Sequence, residues 1–203
     1  MKAIGEVLSS RITSFTAEAW RFDSDEEEQA FASSMPSFGN FLKSRSEERK
    51  LSVYGVVYDI ITGPADLHHK PTALRMSRAE LRKEQPQIFA LLKTEWHVAI
   101  VGFQQGGRCI SGLPPFPPEV HDFVFPLEDE ELIEASEDLE FLRMLYGIAG
   151  VPGDELLAAT IRNAARPRHD DYKYLVEAGQ QVSKLFRDDY ERLGSVLRKI
   201  HPH

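Results

Sequence analysis

The feature that most constrains the fold is the run Leu51-Ser-Val-Tyr-Gly-Val-Val-Tyr-Asp-Ile-Ile61. It is rich in β-branched and aromatic residues, which favour extended backbone. A nearly unbroken run of such residues predicts a buried strand. We place this strand in a small β-barrel.

Further strands are predicted on both sides of this run. They are rich in β-forming residues and cover residues 4–10, 12–20, 38–43, 94–104 and 122–126, with the central strand itself at 51–62. Gly5, Gly39, Gly55 and Gly102 lie inside or beside these strands, where glycine marks bulges, bends or close backbone approach. Since small barrels need such corners, this part of the chain predicts a barrel or a strongly bent sheet.

A helical insert is predicted between two of these strands, at about residues 77–93. Ser77 and Glu80 have the spacing of a capping box, which begins a helix. Pro86 divides the insert, because proline has no N–H to donate to the preceding turn. We therefore expect two short helices, with Pro86 near the start of the second.

After Pro126 the chain is predicted to be helical. The acidic residues 128–131 suit a helix N-terminus, an apolar face then continues to the glycines at 147–153, and Asp154 is expected to cap the following helix. The last and longest helix is predicted over about residues 170–200, with apolar residues at three- and four-residue steps. Such a face packs on the barrel, on a partner helix or on a second copy of the chain. The candidate partner contacts on it are Leu185, Phe186, Leu193 and Leu197.

The predicted fold class is therefore α+β. A small closed β-barrel with a helical insert covers residues 1–126, and an α-helical region covers residues 127–203.

Composition narrows the expected partners and compartment. The chain has 203 residues and a net charge of −8, which disfavours a broad grip on nucleic acid or on an anionic membrane. Cys109 is the only cysteine, so intrachain disulfides and zinc sites with four thiolate ligands are excluded. Neither a signal segment nor a membrane-spanning run is predicted, so we expect a cytoplasmic protein.

Three patterns that could carry chemistry have simpler interpretations. Residues 102–109 have the glycine spacing of a phosphate-binding loop, but Arg108 and Cys109 occupy its Lys and Ser/Thr positions, and a turn between two strands is predicted instead. The adjacent His68 and His69 cannot share one helix face and are expected in a loop. The acidic pairs 170–171 and 188–189 are interleaved with basic residues, which is typical of a solvated helix surface. We predict no cofactor and no metal.

The segment Leu113-Pro-Pro-Phe-Pro-Pro118 has two interpretations. Its prolines impose an extended path without backbone donors, as in a rigid connector into the next strand. Alternatively it docks in an aromatic groove of another protein, with Phe116 as the partner contact.

The barrel segments resemble the HAS-barrel family, whose barrel is shared by HerA-type DNA-translocating ATPases and ATP synthase subunits. The resemblance rests on Ile-Gly-Glu-Val at residues 4–7, Pro-Ser-Phe-Gly at 36–39 and Val-Tyr-Gly-Val-Val-Tyr-Asp-Ile at 53–60, and it covers about residues 1–126. It implies a closed barrel that supports subunit assembly and contact with accessory proteins. Because no P-loop domain follows residue 126, the resemblance is to the stand-alone form and implies no catalytic residues.

The leading hypothesis is thus a non-enzymatic assembly or protein-interaction module, accessory to a ring-forming ATPase or a nucleic-acid-processing machine, or self-associating. Two alternatives remain open. One is nucleic-acid binding by the locally basic tail, with Arg162, Arg166 and Arg168 as contacts. The other is an enzyme in which His97, His121 and acidic residues converge.

Overall fold

A computed structural model describes residues 2–20, 35–65, 71–169 and 172–200 and contains an antiparallel barrel. Its strands are β1 (Gly5–Arg11), β2 (Ser14–Ala19), β3 (Phe41–Ser46), β4 (Leu51–Pro64), β5 (Leu92–Gln105), β6 (Arg108–Ser111) and β7 (Phe123–Pro126). The order β2-β1-β7-β3-β4-β5 closes on itself because β2 also pairs with β5, and β6 adds to β5. The prediction of an α+β fold with a small closed barrel is confirmed. The acidic segment 23–28 lies outside the described residues.

The barrel interior is a hydrophobic core centred on the run that opened the sequence. Val53 and Val57 of β4 pack there with Val98 and the fully buried Trp96 of β5. Gly55 interrupts the β4 and β5 register, which shifts between Tyr54 and Gly55. A Cβ on Gly55 would lie 2.5 Å from Val98 Cγ1 and 2.7 Å from the Ala99 carbonyl oxygen. Glycine at this bulge therefore allows β4 and β5 to approach closely.

Seven α-helices and one 3₁₀ helix are found in the described part of the chain. They are α1 (Arg78–Glu84), α2 (Gln87–Ala90), α3 (Asp129–Ala135), α4 (Phe141–Tyr146), α5 (Gly153–Ala165), a 3₁₀ helix (Arg166–Arg168), α6 (Tyr172–Leu185) and α7 (Tyr190–Ile200). The predicted insert is confirmed: α1 begins with the Ser77 and Glu80 capping box, and Pro86 is the N-cap of α2.

The C-terminal helices pack on the outer face of the barrel and form a second hydrophobic core with it. Val56, Ala99 and Val101 supply the barrel side of this core. Gly39, at φ +81°, lies against α5, where a Cβ would be 2.7 Å from Ala159 Cβ. Side chains are therefore buried on both faces of β4 and β5, which explains why the 51–61 run is apolar almost throughout.

Three predictions about the C-terminal region are wrong in detail. The predicted helix at 170–200 is two helices, because α6 ends at Leu185 and Asp189 caps α7 by accepting a hydrogen bond from Arg192 N at 3.0 Å. The preceding apolar stripe is also divided, into α3 and α4. Asp154 lies inside the first turn of α5 rather than capping it, and Pro152 is the N-cap.

Residues 102–109 form the predicted turn between two strands, and residues 113–118 form a connector into the next strand. Gly106 and Gly107 form the turn between β5 and β6, and β6 itself was not predicted. Pro114 and Pro118 are buried, and Ser10 Oγ donates to the Pro118 carbonyl at 2.5 Å. The proline segment is therefore fastened to β1 as a connector, although Phe116 within it remains 52% exposed.

Candidate functional site: an apolar groove on the insert

The insert lies at the end of the long β4–β5 hairpin, which we call the stem. β4 and β5 pair from Leu51 and Gln105 at one end to Pro64 and Leu92 at the other. β3 pairs with β4 only as far as Val56, and β2 pairs with β5 as far as Glu95, so the last three residue pairs of the hairpin extend past both flanking strands. Ala65 N donates to the Leu91 carbonyl at 2.7 Å and closes the base of the insert. The insert is thus held away from both hydrophobic cores.

The two insert helices are fixed by local contacts. Ser77 Oγ accepts from Glu80 N at 3.2 Å, and the Glu80 carboxylate accepts from Ser77 N at 2.7 Å. Hydrogen bonding of the Glu80 carboxylate with the Ser77 side chain, and then with the Ser77 backbone N–H, lowers the pKa of Glu80. Arg78 and Arg82 of α1 lie over the Phe89 ring of α2, with guanidinium carbons 4.8 and 4.9 Å from its centroid. These contacts set α1 against α2 without a buried core.

An apolar groove of about 500 Å³ lies between these helices and the stem. Its apolar lining is Pro64, Pro71, Leu74, Met76, Leu81, Ile88, Phe89, Leu91 and Leu92. Leu91 is 52% exposed and Leu74 is 39% exposed. Among residues 71–92, no side chain whose burial the structure describes is fully buried. Clustered exposed apolar side chains of this kind mark interaction sites.

The groove was missed at the sequence level, although a signal for it is present. Residues 71–92 contain many large apolar side chains but form only two short helices, too small a unit to enclose a core of its own. An apolar insert without room for a core predicts a surface that another molecule covers.

A second cavity, of about 620 Å³, lies beside the connector into β7 and brings His121 close to several carboxylates. His121 Nδ1 lies 3.2 Å from Glu6 Oε2, while Glu6 Oε1 accepts from Trp20 Nε1 at 3.2 Å. Glu119 pairs with Arg49 at 2.8 Å, and its backbone N–H donates to Asp122 at 2.9 Å. These carboxylates fasten the connector to the barrel.

The enzyme hypothesis grouped His121 with His97, and the structure does not bring them into this cavity together. His97 packs edge-on against Tyr58, with ring centroids 6.0 Å apart, and does not line the cavity beside His121. Cys109, in β6, is partly exposed, and burial raises its thiol pKa to about 11, which disfavours the reactive thiolate.

Asp122 gives a prediction about pH. Desolvation raises the pKa of this carboxyl above its ordinary value. The unfolded chain therefore loses this proton more readily, and ionisation of Asp122 weakens folding as pH rises through its folded pKa. We expect Asp122→Asn to raise the urea midpoint at pH 7.5 and to leave it unchanged at pH 3, where both forms are neutral. A lower midpoint at pH 7.5 would show that the charge itself is needed.

The predicted partner contacts on the C-terminal helices are in different environments. Phe186 is only 2% exposed and belongs to the second core, which corrects its assignment as a partner contact. Leu185 and Leu193 are partly buried against the same core, and Leu197 is 37% exposed. The apolar stripe therefore serves mainly to pack α6 and α7 into the second core, against the other C-terminal helices.

The three arginines predicted to contact nucleic acid do not form one basic surface. Arg168 is a structural residue, since its side chain is only 6% exposed and donates to Ser136 Oγ at 3.1 Å and to the Ile133 and Ala164 carbonyls. Its assignment as a nucleic-acid contact is wrong for this reason. Arg162 donates to the Lys199 carbonyl at 2.6 Å, and the exposed Arg166 lies 4.0 Å from Asp129.

Comparison with known proteins leaves the groove as the main guide to function. No family model matches the chain, and no curated protein matches it. Within the described ranges no group of three or more His, Cys, Asp or Glu residues could hold a metal ion, and no helix there is long and apolar enough to cross a bilayer. His68, His69 and the acidic pair 170–171 lie outside the described residues.

Proposed function

We propose that this protein is a non-enzymatic protein-interaction module that binds a partner protein through the groove of its insert. One observation carries the proposal. Residues 71–92 include many apolar side chains, yet none of those whose burial the structure describes is fully buried. A partner that covers Leu74 and Leu91 would remove this apolar surface from water, which favours association.

The architecture supports this role. The barrel and the C-terminal helices are joined by a shared core, so they give the stem a rigid base. Binding surfaces presented on rigid scaffolds lose less conformational freedom when a partner binds. The insert has the geometry of such a presented surface.

The resemblance to the HAS-barrel family suggests what kind of protein the partner is. In that family the barrel mediates assembly of ring-forming ATPases and contact with accessory proteins. We propose a ring-forming ATPase or a protein associated with one as the partner, and the cytoplasm as the compartment. The six-stranded closed barrel is compatible with this proposal.

A matched pair of variants tests the groove. Leu81 lines the groove from α1, whereas Ala79 is an exposed residue of the same helix that does not line it. We expect Leu81→Asp to reduce quantitative recovery of the partner from native cells at least tenfold, because a carboxylate enters an apolar contact. Ala79→Asp makes the same charge change and should recover the partner as the unmodified chain does.

Thermal unfolding by circular dichroism serves as the folding control. Both variants should unfold at the temperature of the unmodified chain, since Leu81 lies outside the two cores. Equal partner recovery by all three folded proteins would overturn the proposed role of the groove.

A further inference from the structure

We infer that the partner segment seated in the groove is an acidic amphipathic helix of a different protein. This inference rests on the proposed function and names the chemistry of its partner. It follows from three properties of the insert: the nature of the groove walls, the local charge and the position of two arginines.

The groove walls favour a helix over an added strand. They are formed by side chains of α1, α2 and the flanking segments, and they include Pro64 and Pro71. Proline has no backbone N–H to donate to an added strand. A helix requires no such donor, because it fills a groove with side chains at steps of three and four residues.

The insert is basic within an acidic chain. Residues 71–92 contain four basic and two acidic residues, a net charge of +2, whereas the whole chain carries −8. The carboxylate of Glu80 is engaged with the N-terminus of α1, where it accepts from Ser77 N. The charge that a partner meets at this groove is therefore positive.

The arginines lie where a partner helix would carry its polar flank. Arg78 and Arg82 are four residues apart, so they project from the same side of α1. Both are stacked over Phe89, which is itself part of the groove wall. A stacked guanidinium keeps its N–H donors in the plane of the group, where carboxylates bind. Acidic residues beside the apolar stripe of the partner would meet these donors.

The same charge argues against a second copy that docks through its own insert. A two-fold contact between inserts would place two segments of charge +2 against each other. Like charges in an interface oppose association. A partner helix with an apolar face and acidic flanks complements both the apolar groove and the two arginines beside it.

Selection from a phage library of random 16-residue peptides on the full-length chain tests the inference. We expect enriched peptides to carry net negative charge and apolar residues at helical spacing. In fluorescence anisotropy, the best peptide should bind Leu81→Asp at least tenfold more weakly and Ala79→Asp normally. It should also bind Arg78→Glu/Arg82→Glu at least tenfold more weakly, whereas Arg45→Glu/Arg108→Glu, the same charge change on the barrel, should leave affinity within twofold.

The other outcomes overturn the inference in distinguishable ways. Groove-dependent peptides that are neutral or basic would overturn the acidic partner and leave the proposed interaction role standing. Enrichment that ignores Leu81→Asp, or no enrichment, would overturn the inference, and unchanged partner recovery from cells would then overturn the proposed function as well. A dimer in light scattering that Leu81→Asp dissociates would assign the groove to a second copy.

Discussion

Replacement of Gly55 by valine is expected to destabilise the protein by about 3 kcal/mol, which lowers Tm by roughly 6–12 °C for a chain of this size. Intrinsic strand preference alone predicts the opposite, since valine is favoured in strands. The structure overrides that preference because a Cβ at this bulge meets Val98 Cγ1 at 2.5 Å and the Ala99 carbonyl oxygen at 2.7 Å. Differential scanning calorimetry measures the effect.

Gly63 provides the matched control on the same strand. A Cβ there meets nothing within 4 Å, so Gly63→Val should change Tm by no more than about 2 °C. Equal stability of the Gly55→Val and Gly63→Val variants would contradict the claim that β4 and β5 leave no room for a Cβ at Gly55.

Replacement of Arg168 by methionine is expected to cost about 3 kcal/mol. The substitution leaves the carbonyls of Ile133 and Ala164 without their guanidinium donor at the ends of α3 and α5, and unpaired polar groups in such a setting cost about 1–3 kcal/mol each. It also removes the cation over the Tyr174 ring, 3.9 Å from its centroid. Urea unfolding measures the loss of stability.

Arg166 is the control for this substitution. It is exposed and its guanidinium lies 4.0 Å from the equally exposed Asp129, so Arg166→Met should stay within about 0.5 kcal/mol of the unmodified chain. Arg168→Lys should recover only part of the stability, because an ammonium lacks the planar fork that reaches both carbonyls. Equal stability of the Arg166 and Arg168 variants would contradict the structural role assigned to Arg168.

Much of the fold could be predicted because its signals are local. Residues 51–61 favour extended structure in any context, and the Ser77 and Glu80 pair acts within one helical turn. Both were confirmed. The sequence pattern was misleading at the break between α6 and α7, where the Asp189 cap begins a new helix inside a continuing apolar pattern. The apolar spacing continues from Val182 to Val196 across the break between α6 and α7, so periodicity alone predicts one helix.

The candidate site was harder to predict because exposure depends on the whole fold. Phe186 and Leu91 are both apolar residues in helical sequence contexts, yet one is 2% and the other 52% exposed. Phe186 packs in the second core, where its ring lies against that of Tyr146 in α4, whereas Leu91 lies in the insert, outside both cores. Arg168 and Arg166 differ in the same way. Only the packing distinguishes a core residue from a contact residue.

Hydrogen–deuterium exchange on the full-length chain, alone and in complex with the partner recovered from cells, tests the central claim most directly. If the insert groove is the docking site, partner binding slows exchange of the backbone amides in α1 and α2 at least tenfold and leaves α6 and α7 unchanged. Slowed exchange in α6, α7 or the connector at residues 113–122, with none in the insert, would contradict the account.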